Sequence, residues 1–113
     1  MSDTLTLPSG VKITFTQRGT GTEKPVPSSI VTVHYEGTFL DGTVFDSSFQ
    51  RGETISFPLN RVISAWTQAL CEMVVGDRAT IFCPADTAYG ARGAGPIPPN
   101  TDLVFDVELF SFR

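Results

Sequence analysis

The chain holds a single histidine, His34. A Ser–His nucleophilic pair would have to join it to Ser47 or Ser48. No G-x-S-x-G elbow surrounds either serine, which argues against that chemistry. Alternation places His34 with Thr32 and Glu36, opposite Val31, Val33 and Tyr35. It is therefore expected to face solvent or to be satisfied at an edge. Asp41 and Asp46 would be the candidate acid pair of a glycosidase, but Asp41 opens an Asp-Gly turn and already has a role there. Cys71 and Cys83 match no zinc or redox spacing, and with one histidine they do not build a tetrahedral site. They read as packing thiols. The glycine-rich stretches at 19–21 and 90–95 lack a P-loop lysine. No metal or cofactor is expected.

Aromatic residues are the chemistry that remains. There are nine Phe, two Tyr and one Trp. Phe15, Phe82 and Phe110 read as core filling. Three others sit oddly for that role: Phe45 precedes a carboxylate, Tyr89 lies inside a Gly/Pro-rich loop, and Trp66 is the largest side chain of a short helical stretch. An apolar site with a few polar groups suits a small apolar ligand or a peptide.

The elements that must position these residues are mostly strands. Val11, Ile13 and Phe15 alternate with polar residues, as do Ile30 to Glu36, Arg78 to Cys83 and Leu103 to Leu109. The stretches 44–46 and 54–57 read as short strands, the first returning from the Asp41-Gly42 turn. One segment breaks the period. Val62, Ile63, Trp66, Ala69 and Leu70 recur at three- and four-residue spacing, which predicts one short helix with Asn60 as its N-cap. The loop from Pro84 to Thr101 is long for a compact domain, and such loops usually serve function. Many strands and one helix predict an α+β fold, an antiparallel sheet packed on a helix.

Composition bounds the remaining classes. A chain of 113 residues is one domain, and 41% hydrophobic with 18% charged residues is globular usage. Eight Lys+Arg against twelve Asp+Glu give a net charge of −4. That balance and the scatter of the basic residues argue against nucleic-acid binding. No apolar run is long enough to span a membrane, and the first residues lack a secretory or transit pattern. A cytoplasmic setting with reduced thiols is the expectation, and a monomer is the default. Residues 1–8 read as a loosely ordered extension ahead of a single domain covering 1–113.

Several stretches together resemble the FKBP family of tacrolimus- and rapamycin-binding peptidyl-prolyl isomerases. They are Val33-His-Tyr-Glu-Gly37, Asp41-Gly-Thr-Val-Phe-Asp-Ser-Ser48, Val62-Ile-Ser-Ala-Trp66, Val75-Gly-Asp-Arg-Ala79, Pro84-Ala-Asp-Thr-Ala-Tyr-Gly90, Ile97-Pro-Pro99 and Leu103-Val-Phe-Asp-Val-Glu-Leu109. Each motif alone is weak, but seven in register are specific, and they run from about residue 7 to the C-terminus. The chain looks like a single-domain member.

The resemblance implies a twisted antiparallel sheet of five to six strands wrapped around one short helix, with a pocket between them. It implies catalytic roles for Tyr35, Phe45, Asp46, Trp66, Tyr89 and Phe105. Ligand contacts would come from Arg51, Ile55, Phe57, Val62, Ile63 and Ile97. Trp66 would form the floor, and the Ile63 N–H and the Tyr89 hydroxyl would donate to ligand carbonyls. Asp46 has two readings. It is a structural strand-end carboxylate that pairs with Arg51 or, as the resemblance implies, a carboxylate at the pocket wall that helps set the local field, with the Tyr35 hydroxyl as a candidate partner. Departures from the family pattern fall at Ile55, where relatives carry an aromatic, at Ala65, where they carry Gly, and in two shortened stretches, 58–61 and 93–97. The implied partners are proline-containing peptides and proteins, macrolides such as rapamycin and tacrolimus, and a protein that joins the macrolide complex. A binding module without turnover is the rival reading. A holdase is a weaker one, since no apolar flap is inserted.

Overall fold

The computed structural model describes residues 3–113. Seven strands form one antiparallel sheet: β1 (Asp3–Thr6), β2 (Lys12–Gln17), β3 (Ile30–Phe39), β4 (Val44–Ser47), β5 (Ile55–Pro58), β6 (Arg78–Cys83) and β7 (Leu103–Phe112). The order across the sheet is β1-β2-β6-β7-β3-β4, with β5 also paired to β3. A four-residue helix α1 (Ser48–Arg51) follows β4, and the main helix α2 covers Ser64–Leu70.

The strands follow their alternation. Val31, Val33 and Tyr35 on β3, Ala79, Ile81 and Cys83 on β6, and Leu103, Phe105, Val107 and Leu109 on β7 turn to one buried face. α2 covers that face with Ala65, Trp66, Ala69 and Leu70. Alanines at 65 and 69 leave little bulk between helix and sheet, so the large groups at the contact are Trp66 and Leu70.

The sequence-based expectations need four corrections. The sheet has a seventh strand, because residues 3–6 pair with β2, Leu5 opposite Ile13, instead of forming part of a loose extension. Arg18 ties that strand down through Asp3; residues 1–2 lie outside the described region. The helix does not begin at Asn60. Leu59–Arg61 make a 3-10 turn, Val62 and Ile63 are extended, and α2 starts at Ser64 without a side-chain cap. The apolar spacing of Val62 and Ile63 mimics a helical stripe that the backbone does not follow. α1 was not foreseen; Ser47 caps it by accepting from the Gln50 N–H at 3.2 Å. Finally, Phe110 is not core. It lies on the outer face of β7 with Val104, Asp106 and Glu108 and is 43% exposed, beside the point where the β3–β7 register slips between Thr32 and Val33. There it packs edge-on against His34, 5.7 Å between ring centres. Phe82 likewise lies on the opposite face of β6 from Ile81 and Cys83 and is half-buried, while half-buried Phe15 packs against the core rim.

A buried carboxylate staples the loop after β2 to the sheet. Asp77 is fully buried and accepts from the Gly19 N–H at 2.7 Å, the Val74 N–H at 3.0 Å and Arg18 Nε at 3.3 Å. Glycine is required at 19, since a Cβ there would lie 2.1 Å from the Val75 carbonyl oxygen.

Candidate active site

A cavity of about 440 Å³ opens between α2, the β3–β4 hairpin and the long loop after β6. Trp66 forms its base. Tyr35, Phe57 and Phe105 stand edge-on around the indole, at 5.3, 5.5 and 5.4 Å between centres. Phe45 extends the wall, edge-on to Phe105 at 5.6 Å. Such edge-to-face contacts set positive ring edges against negative faces and fix the rings in place. The walls are therefore rigid and apolar before any ligand arrives.

The hairpin that brings Phe45 to Phe105 depends on Gly37. A Cβ at that position would sit 2.5 Å from Phe45 Cζ and 2.8 Å from Phe105 Cε1. Motif reading passed over Gly37 as a site residue; its signal is a glycine interrupting an otherwise alternating strand.

Polar groups at the cavity fall into two sets. The first is spent on itself. The Tyr35 hydroxyl donates to Asp46, Arg51 Nη1 donates to the same carboxylate at 2.6 Å, and Arg51 Nη2 donates to the Tyr35 oxygen at 3.2 Å. Burial alone would raise the Asp46 carboxyl, but the hydrogen bonds from Tyr35 and Arg51 outweigh it and hold Asp46 below its usual range. Tyr35 moves up, chiefly by desolvation and then by its bond to Asp46. Arg51 is raised by the same two partners.

The second set is unspent. Among the described residues the Ile63 N–H and the Tyr89 hydroxyl donate to nothing. Ile63 is freed by the extended break between the 3-10 turn and α2; its carbonyl instead accepts from the N–H groups of Trp66 and Thr67, at 3.0 and 3.3 Å. Tyr89 is held on the loop by bonds of its neighbours: Gly90 N–H to Ala85 at 2.9 Å, Asn100 N–H to Gly90 at 2.8 Å and Ala85 N–H to Asp102 at 2.8 Å. Burial and the field of Asp46 raise the Tyr89 phenol, so it stays protonated and able to donate. Trp66 Nε1 is buried and has no partner among the described residues.

The structure brings Tyr35, Phe45, Asp46, Phe57 and Val62 to the cavity, together with Ile63, Trp66, Tyr89 and Phe105. It does not bring Ile55 or Ile97 there. Ile55 pairs with Val33 at the start of β5, two residues before Phe57, and does not line the cavity. Ile97 is buried in the core, its backbone bridged to Ala94. Arg51 reaches the site only through Asp46 and Tyr35. Arg61, which no motif flagged, lines the cavity.

His34 and Ser48 do meet, at 2.7 Å. The serine is fully buried, however, and its Oγ also accepts from the Tyr35 N–H at 2.7 Å. His34 stacks on Phe49 at 4.6 Å on the other side of the sheet from Trp66. The pair fastens α1 to the outer face of β3, on the side of the sheet away from Trp66.

An apolar cavity bounded by a tyrosine–carboxylate–arginine triad and by unspent donors thus sits on this sheet-and-helix frame. The family model for FKBP-type peptidyl-prolyl cis-trans isomerases matches residues 21–110, and the chain belongs to that family. It is 52% identical over 105 residues to the FKBP-type peptidyl-prolyl cis-trans isomerase FkpA of Aeromonas hydrophila, which covers 93% of this chain and 39% of the relative. It is 48% identical to the FK506-binding protein 1 of Dictyostelium discoideum, covering 92% of this chain and 99% of that protein. The crystal structure of FkpA from Escherichia coli superposes with a TM-score of 0.92 at 41% identity, over 97% of this chain and 51% of that one. The chain thus spans well under two-thirds of several relatives that it matches. Among the described residues no helix is long and apolar enough to cross a membrane.

Proposed function

We propose that the cavity around Trp66 accelerates rotation about Xaa–Pro peptide bonds. The observation that carries this reading is the pairing of an apolar floor with unspent donors, among them the Ile63 N–H and the Tyr89 hydroxyl, where no nucleophile–base pair opens.

Rotation about an amide costs about 18–20 kcal/mol, because twisting breaks its resonance. Unaided Xaa–Pro exchange takes tens to hundreds of seconds. The planar isomers carry a large dipole that water solvates well; the twisted form has lost much of it. Moving the bond into an apolar cavity strips water from the planar forms and costs the twisted form less. Leaving an amide without hydrogen-bond partners costs about 1–3 kcal/mol in proteins. A thousandfold acceleration needs about 4 kcal/mol. Desolvation and one or two hydrogen bonds of about 1 kcal/mol each therefore suffice. Ile63 and Tyr89 hold carbonyls that flank the rotating bond, so one end of the peptide stays fixed while the other turns. No proton is transferred. The Asp46–Tyr35–Arg51 triad closes the wall and leaves a neutral rim at that side.

The same cavity accounts for a second occupant. Its volume falls within the range of drug-binding pockets, roughly 300–1,000 Å³, which supports macrolide binding at this site, with rapamycin or tacrolimus competing against peptide. The unpaired thiols of Cys71 and Cys83 fit a reducing, cytosolic setting.

The test is a proline-isomerisation assay on a short peptide, with and without rapamycin. Acceleration that rapamycin abolishes is expected. A rate equal to the uncatalysed one refutes the proposal.

A further inference from the structure

We propose that Arg61 is a specificity-determining residue that favours substrates carrying an acidic side chain flanking the Xaa–Pro pair; this rests on the proposed isomerase reading. The cavity lining contains one carboxylate and one guanidinium, those of Asp46 and Arg61. They do not pair. Asp46 is already neutralised by Arg51 at 2.6 Å. Arg61 makes no ion pair among the described residues, as is true of Lys12, Arg92 and Arg113, but of these four only Arg61 lines the cavity. Nor does its side chain make a hydrogen bond to another described residue. It is exposed at the mouth, at the end of the 3-10 turn, two positions before the free Ile63 N–H.

The cavity mouth therefore carries one uncompensated positive charge on a chain whose net charge is −4. At physiological ionic strength charges more than about 8 Å away are largely screened. A flanking carboxylate seated at the mouth would consequently feel Arg61 more strongly than the dispersed negative surface. The planar guanidinium offers several donors to a carboxylate or phosphate. Exposed pairs of this kind are modest, equivalent to roughly two- to fivefold in binding.

Three peptides test this. They share one Xaa–Pro core, flanked by Glu, Gln or Lys, and are compared with the native chain, Arg61→Gln and Arg61→Glu. Affinity is read from Trp66 fluorescence and turnover from kcat/KM. The native chain is expected to prefer Glu over Gln, and Gln over Lys, by roughly two- to fivefold each. The preference should collapse in Arg61→Gln, reverse in Arg61→Glu, and shrink in high salt. An affinity order that persists in Arg61→Gln, equal affinities, or no peptide binding overturns the proposal. Charge-ordered binding without turnover would leave Arg61's role standing while refuting the isomerase reading.

Discussion

The hydroxyl of Tyr35 on β3 donates to the carboxylate of Asp46 on β4, and this bond locks the hairpin that forms one wall of the cavity. Arg51, one turn of helix further on, grips the other carboxylate oxygen. Tyr35→Phe should therefore cost about 1 kcal/mol of stability, read from denaturant midpoints, and lower kcat/KM by a few-fold. Asp46→Asn loses the arginine pair, and its effect depends on pH. Because the folded-state carboxyl sits below its usual value, its contribution is present above about pH 4 and fades as pH falls through the depressed value. The stability gap between native and Asp46→Asn should be widest at neutral pH and close in acid.

Gly37→Ala tests whether the wall must be close-packed. The new methyl meets Phe45 and Phe105 at under 3 Å. Both rings must shift, at a cost of about 1–3 kcal/mol. Turnover measured well below the unfolding temperature should fall about tenfold, since the cavity narrows where the imide would turn. Normal turnover in a stable Gly37→Ala protein would show that these rings do not shape the reaction.

Gly19→Ala provides the contrasting case. Its methyl would strike the Val75 carbonyl and disturb the Asp77 staple, far from Trp66. Thermal melts should show a loss of several degrees, while the kcat/KM of the folded protein should match the native value. Equal losses of stability and turnover would mean that the staple shapes the cavity.

Rotation without proton transfer predicts a flat rate profile. Asp46 is held below its usual range, while Tyr35 and Tyr89 are raised above theirs, so none of these three groups moves toward neutrality. kcat/KM should change by less than about twofold between pH 5.5 and 8.5. His34→Gln should leave it unchanged and lower stability by about 1 kcal/mol through the lost Ser48 bond. An inflection near neutrality that disappears in His34→Gln would contradict this.

The sheet was legible because its buried positions recur with period two, as at Val31, Val33 and Tyr35 or at Ala79, Ile81 and Cys83. The site aromatics were legible chiefly through the family motifs, since Tyr35, Trp66 and Phe105 meet only after distant segments fold together. The 3-10 turn at Leu59–Arg61 was not. Val62 and Ile63 satisfy helical spacing in sequence, although the chain runs extended there. Residue type alone makes Phe110 core, although the alternation of Leu103, Phe105, Val107 and Leu109 already assigns it to the outer face. Arg61 carries no local pattern, and its place at the mouth follows from that same turn. Ile55 and Ile97 show the converse: motif position alone did not put their side chains in the cavity.

The most direct measurement compares cis–trans exchange of one Xaa–Pro peptide, by NMR, in the presence of the native chain and of Trp66→Phe, with native-like spectra confirming that both are folded. A smaller ring lowers the cavity floor while keeping it apolar. The native chain should speed exchange by about three orders of magnitude, and Trp66→Phe should lose about tenfold of that. Exchange at the uncatalysed rate with the native chain, or an equal rate with both, would contradict the claim that this cavity turns the bond.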